Sequence, residues 1–123
     1  AYYAAGMAYL QLNKYKEAVT HLDKFSSSDP ILSALALGNI GDAFVALNQP
    51  NDALDYYKKA IDKSDNALTA PIYLNKAAQV AQDQKNYKEA LTYLERIKSD
   101  YPKSEEAASV DVQISQVQAL MNL

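Results

Sequence analysis

Apolar side chains recur along this chain at three- and four-residue intervals, interrupted by short polar stretches. Tyr2, Ala5, Tyr9 and Leu12 fall on one stripe and Asn13 interrupts it; Ala18, Leu22 and Phe25 then resume at i, i+4 and i+7 in a stretch opening at Tyr15. That spacing repeats one face of an α-helix, so two helices are predicted, over 1–12 and 15–25. Ser26-Ser27-Ser28 closes the pair, and Asp29-Pro30 opens the next helix, with Asp29 as N-cap acceptor and Pro30 at the first helical position. A second pair is predicted over 30–47 and 50–63. A third is predicted over 69–84 and 87–98, where Pro71 is tolerated because it falls in a first turn. Near the end, Val110, Val112 and Ile114 alternate like a strand, yet Ala107, Val110, Ile114, Val117 and Met121 keep helical rhythm for longer. The longer pattern decides for a helix over 103–122, opened by Ser104 with Glu105 and Glu106.

The same phrase recurs within these helices. "NKYKEAVTHL" from Asn13 returns as "KNYKEALTYL" from Lys85, and more loosely as "NQPNDALDYY" from Asn48, which aligns Ala18, Ala53 and Ala90 at separations of 35 and 37 residues. Self-similarity at about 34 residues, with a helix-turn-helix in each unit, marks an array in which each pair buries its apolar face only against a neighbour. Small residues at Gly6, Gly41 and Ala78 are expected where each first helix meets Ala18, Ala53 and Ala90 of the second, allowing the axes to approach to ~8–10 Å.

These residues resemble the tetratricopeptide repeat (TPR) family. Its small-and-aromatic signature falls on Tyr2, Ala5, Gly6, Tyr9, Ala18, Leu22, Phe25 and Pro30 in the first unit. In the second it falls on Leu37, Ile40, Gly41, Phe44, Ala53, Tyr57 and Ala60, and in the third on Leu74, Ala77, Ala78, Ala81, Ala90, Leu94, Ile97 and Pro102. The match departs at Ala78 for the inter-helix Gly, at Ala81 for an aromatic, and at "DKSDNALTAP", which delays the Pro after the second unit. The resemblance implies an all-α fold, a right-handed α-solenoid of three TPR helix pairs plus a C-terminal capping helix. One domain is expected, with repeats over 1–29, 30–65 and 66–102 and the cap over 103–122. Asp100 to Ala107 also resembles the repeat junctions of bacterial envelope TPR proteins, the outer-membrane assembly lipoproteins and the YfgM-like translocon-associated family.

Composition narrows the chemistry. The chain has 49% hydrophobic and 22% charged residues, with only three Gly and four Pro, which fits a soluble helical domain. A net charge of −3, with twelve Lys and Arg among fifteen Asp and Glu, argues against a nucleic-acid surface, because neutralising phosphates needs clustered cations. No Cys is present and His21 is the single His, so thiolate sites, His-based metal sites and the usual triads have no members. His21 is read as a surface or half-packed residue. The pairs Asp52/Asp55, Asp62/Asp65 and Glu105/Glu106 read as helix-dipole partners, or as an i,i+4 ion pair for Asp55 with Lys59, before carboxylate catalysis or cation binding. Gly6, Gly38 and Gly41 lie inside helices, so none forms a phosphate loop. No catalytic residue, cofactor or metal is expected, and the chain is not read as an enzyme.

What remains is recognition. The TPR resemblance implies a concave groove lined by the first helix of each pair: Tyr3, Met7, Leu10 and Gln11, then Leu35, Asn39, Asp42 and Val45, then Ile72, Asn75, Lys76, Gln79, Gln82 and Asp83. Leu10, Leu35 and Val45 either face that groove or pack on a neighbouring helix. One TPR subclass clamps the C-terminal carboxylates of chaperones with Lys, Asn and Arg. Here Asn39 and Lys76 match two clamp positions while Tyr3, Met7 and Ile72 occupy the other three, so no such clamp is expected. The expected partner is a protein or peptide segment with an apolar anchor. The alternative is a self-association module that builds a homo-oligomer through Tyr2, or through Val112 and Leu123. Opening at Ala1-Tyr2-Tyr3 in helical rhythm without an initiator Met, the chain is read as a fragment. No segment of it is expected to insert in a membrane. The junction motif leans its location to the periplasm, tethered through a missing N-terminal segment, with the cytoplasm as the alternative.

Overall fold

The computed structural model describes residues 1–123 and is all-helical. Seven α-helices follow in order: α1 (Tyr2–Gln11), α2 (Tyr15–Asp23), α3 (Pro30–Ala46), α4 (Pro50–Lys63), α5 (Ala70–Asp83), α6 (Tyr87–Asp100) and α7 (Val110–Met121), with a 3₁₀ turn at Glu106–Ser109 before the last. They group into two compact units, Ala1–Ser64 and Asp65–Leu123. In the first, α1 pairs with α2, α3 pairs with α4, and α2 also packs on α3. In the second, α5 pairs with α6 and α7 packs on α6.

Local chemistry explains the boundaries. Asp29 accepts a hydrogen bond from the Ile31 amide at 2.9 Å, and Pro30 takes the first turn, as the sequence predicts. Each pair turns through one residue in the left-handed region: Asn13 (φ 60°), Asn48 (φ 58°) and Lys85 (φ 62°). The amide after each returns to a first-helix carbonyl: Lys14 to Tyr9 at 2.9 Å, Gln49 to Phe44 at 2.9 Å and Asn86 to Ala81 at 2.8 Å. This is the Schellman closure, which satisfies carbonyls the helix end would leave open. Tyr15, Pro50 and Tyr87 then each occupy the first position of the second helix.

Burial follows each element's neighbours. The second helices are amphipathic, burying Ala18 and Leu22, then Ala53, Leu54, Tyr57, Ala60 and Ile61, then Ala90, Leu94 and Ile97. By contrast, α3 is apolar around most of its circumference because it packs on both α2 and α4. In α1 the predicted stripe is corrected: Tyr2 and Leu12 are 48% and 64% exposed and only Gly6 is buried. This helix packs chiefly on α2, and Leu12 already stands at the turn, where the chain leaves the interface.

Three further expectations change. The close approach at the glycines is real, but its partner lies one turn beyond the expected Ala. A Cβ on Gly6 would stand 2.5 Å from Leu22 Cγ, and one on Gly41 2.5 Å from Tyr57 Cε1. Side chains tilt toward the helix N-terminus, so a given spot is covered by a residue further along than its own Cα suggests. The capping helix also starts late. Ser104 Oγ accepts from the Ala107 amide at 3.2 Å and donates to Tyr101 O at 2.8 Å, which opens the 3₁₀ turn rather than α7. That turn redirects the chain so that Val110 and Val117, 2% and 0% exposed, are buried, while Met121 stays 42% exposed. Finally, Lys59 makes no ion pair with Asp55; its ammonium stands 4.4 Å from the centre of the Tyr56 ring, a cation–π contact that also covers the aliphatic stem.

Candidate functional site

Within the first unit the expected groove residues form two stripes. Tyr3, Met7, Leu10 and Gln11 recur at one-turn spacing on α1, and Leu35, Asn39, Asp42 and Val45 do so on α3. Asn39 Nδ2 donates to Met7 Sδ at 3.3 Å, which sets the stripes side by side. Leu10 and Leu35 are half-buried while Val45 is 46% exposed, so the two leucines share themselves between packing and surface. Tyr3 is half-buried and packs tilted against Phe25 with ring centres 5.2 Å apart, which makes it a support for α1 as well as a surface residue. Asp42 accepts a 2.6 Å hydrogen bond from the hydroxyl of Tyr57, itself 2% exposed. That carboxylate is a strut between α3 and α4 before it is a ligand contact.

In the second unit the stripe on α5 carries Ile72, Asn75, Lys76, Gln79, Gln82 and Asp83, half-buried except for the exposed Gln79 and Asp83. Gln79 Nε2 donates to Asp83 Oδ1 at 3.0 Å along the helix. Asn75 Oδ1 accepts from Gln113 Nε2 at 2.9 Å, so α7 reaches across to the α5 stripe and engages one of its residues. Gln113 Oε1 is buried without a hydrogen-bond partner. Nothing in the sequence signals this contact, because it depends on where α7 docks.

No three His, Asp or Glu side chains converge on a possible cation site. His21 lies between the rings of Tyr2 and Tyr9, 6.3 and 4.9 Å away, with Nδ1 2.8 Å from the Glu17 carbonyl. Its register partners make other bonds: Tyr56 donates to Asp23 at 3.3 Å and Tyr93 to Glu89 at 2.5 Å. Burial, then the hydrogen bond to Glu89 and its charge, push the Tyr93 hydroxyl well above the ordinary tyrosine range. Glu89 is half-buried and holds both Tyr93 and Asn86 Nδ2, the latter at 2.8 Å. Asp65 reaches Arg96 at 3.6 Å instead of serving a helix end. No helix is long and apolar enough to cross a membrane.

A cleft of about 210 Å³ lies elsewhere in the first unit, between α2, the loop after it, α3 and the last turn of α4. Leu22, Ala36 and Ile40 form its floor, with Phe25 and Leu37 beside them; Asp23, Ser26, Ser27, Ser33 and Lys63 complete the lining. None of the stripe residues belongs to it.

Comparison with known proteins places this geometry. Two sequence profiles described as tetratricopeptide repeat match residues 3–67 and 44–114. The mouse (Mus musculus) protein named tetratricopeptide repeat protein 23-like is 33% identical over 114 residues, covering 77% of this chain; the chain spans about a quarter, 25%, of that relative's length. Among solved structures, the first TPR of Spaghetti (RPAP3), bound to the HSP90 peptide SRMEEVD, superposes with a TM-score of 0.77 over 99% of this chain and 91% of that one, at 16% identity. Profiles matching more than half of the residues, on helix pairs closed by the same left-handed turn, lead to one conclusion: this chain belongs to the tetratricopeptide repeat family.

Proposed function

We propose that the chain is a non-catalytic protein-interaction module that holds a peptide or protein segment on the first-helix stripes. The carrying observation is the Asn39–Met7 contact at 3.3 Å, which merges the α1 and α3 stripes into one surface. That surface mixes a thioether, half-buried leucines and an exposed valine with amide groups. Such a surface suits an apolar anchor held by a flexible, polarisable Met, with the amides hydrogen-bonding the segment's backbone. Asn75, Lys76 and Gln79 supply a more polar counterpart on α5.

The test is site-specific photo-crosslinking in cells. A crosslinker at Val45 should yield discrete adducts that Met7→Ala with Asn39→Ala abolishes, whereas one at Thr20 on α2 should not; equal products at both sites would sink the assignment. A peptide role is supported by the RPAP3 structure, bound to SRMEEVD, but the chemistry here is different. With Tyr3, Met7 and Ile72 in place of clamp residues, SRMEEVD should show no saturable binding by calorimetry up to about 1 mM. A tighter, saturable isotherm would restore the carboxylate clamp.

The second reading is self-association, favoured by the exposed Tyr2, Val112 and Leu123, at 48%, 61% and 102%. Light scattering at high concentration decides it, a monomer removing the idea. A place in bacterial envelope assembly rests on the Asp100–Ala107 junction alone, and fractionation of cells expressing the parent gene tests it.

A further inference from the structure

The seam between α6 and α7 carries a cationic, apolar-floored surface that the proposed function leaves unused. We propose that it docks an acidic amphipathic helix of a partner protein, with apolar side chains seated on Leu91 and Met121 and carboxylates placed on Lys85 and Lys88.

Two antiparallel helices make the seam. Lys98 near the end of α6 pairs with Asp111 at the start of α7, Nζ to Oδ1 2.8 Å, while Leu91 shares a hollow of about 380 Å³ with Gln118, Met121 and Asn122 from the end of α7. Across Met121 lies a second hollow of about 330 Å³, lined by Lys85, Asn86, Tyr87 and Lys88. Both are shallow. Their floor is apolar, since Tyr87 and Leu91 are half-buried and Met121 is 42% exposed, and a thioether adapts to more than one side-chain shape.

The lining decides the form of the occupant. It consists of helices and a turn whose own amides are bonded, Lys85 to Gln82 O and Asn86 to Ala81 O, so an extended segment finds no row of backbone groups to pair with. A helix brings its backbone bonds with it and needs only apolar anchors one turn apart.

Charge decides its sign. The chain as a whole carries −3, yet Lys85 and Lys88 are the charged residues of these two linings, and neither takes part in an ion pair. Residues 112–123 add no charge of either sign. The nearby acids point elsewhere. Glu89 stands about 200° around α6 from Leu91 and holds Tyr93 and Asn86, Asp83 holds Gln79, and Glu95 lies one turn past Leu91 beside Lys98, whose charged form it favours. The balance at this end of the seam is positive. Lys85 adds an independent sign: it sits at φ 62° where the other two pairs have Asn13 and Asn48. A lysine there accepts backbone strain that Asn relieves, and what it supplies is a cation beside the apolar floor.

The experiment titrates the isotope-labelled chain with a blocked Ala- and Gln-based helix of about 18 residues, carrying two Glu in its first turn and two Leu four residues apart, and reads backbone amide shifts. Saturable shifts are expected at Lys88, Leu91, Gln118 and Met121 below millimolar peptide, weakening as salt rises. Replacing the peptide's Leu by Gln should abolish them. Lys88→Glu, an exposed change, should weaken binding about tenfold, and a peptide with Lys in place of Glu should recover it. Lys85→Gly should also weaken binding, although removing the strain is expected to stabilise the chain, so lost folding does not account for the effect. SRMEEVD, too short to hold a helix, should not compete. The proposal is overturned by silence at the four amides, by unchanged affinity in Lys88→Glu, by equal binding of the Lys-bearing peptide to the unaltered chain, or by competition from SRMEEVD. Concentration-dependent shifts at the same amides without peptide would overturn it too, placing a second copy there.

Discussion

Gly41 shows what a single residue decides. A Cβ there would lie 2.5, 2.7 and 3.1 Å from three atoms of the Tyr57 ring, and that ring is held by its 2.6 Å hydrogen bond to Asp42. Alanine favours helix over glycine by about 1 kcal/mol, but overpacking against an immobile ring costs ~1–3 kcal/mol. Gly41→Ala should therefore be net destabilising in chemical denaturation; equal or greater stability would refute the wedge. The sequence announced a small residue here but not its partner, since repeat alignment pairs like positions and not the atoms that meet across an interface. Tyr93 is a second case. Its folded-state pKa is raised by burial and by Glu89, so its contribution is fully present below the unfolded value of 10.0 and is lost as pH rises above it. Melting temperature should fall more steeply above pH ~10 in the wild type than in Tyr93→Phe; parallel curves would remove Tyr93 as a source.

At the scale of elements, the helices were legible because periodicity and punctuation agree. The bounds of α4 match the prediction at both ends, since Pro50 and the polar run after Lys63 leave no ambiguity. The start of α7 was not legible, because Ser104-Glu105-Glu106 satisfies the rules for an α-helix and a 3₁₀ turn alike, and docking on α6 chose between them. The three left-handed turns allow a clean test. All three carry a Cβ that crowds the following carbonyl at φ near 60°, but the short amide side chains of Asn13 and Asn48 can offset this by bonding locally, and the Lys85 side chain cannot. Lys85→Gly should stabilise the chain by about 1 kcal/mol, with Asn13→Gly giving much less. A loss of stability at Lys85 would show that its side chain contributes more than its backbone strain removes.

For the molecule as a whole, stability in a repeat protein is close to a sum over units and nearest-neighbour interfaces. Ala53 is 0% exposed in the α3–α4 pair, and Ala53→Leu should cost ~1–3 kcal/mol by overpacking. Native-state amide exchange should speed up in α3 and α4 before α6; a uniform increase along the chain would contradict that local accounting. The sequence by itself determined the all-helical content, the three pairs and the faces that the second helices bury, because a 3.6-residue period and a 35-residue repeat are written locally in the order of residues. Tertiary structure alone decided that Tyr57 seats on Gly41, that Gln113 engages Asn75, and that α2, α3 and α4 leave a cleft beside Lys63. Each joins residues far apart in sequence, and periodicity encodes which face of a helix is apolar, not which atoms of another helix will meet it.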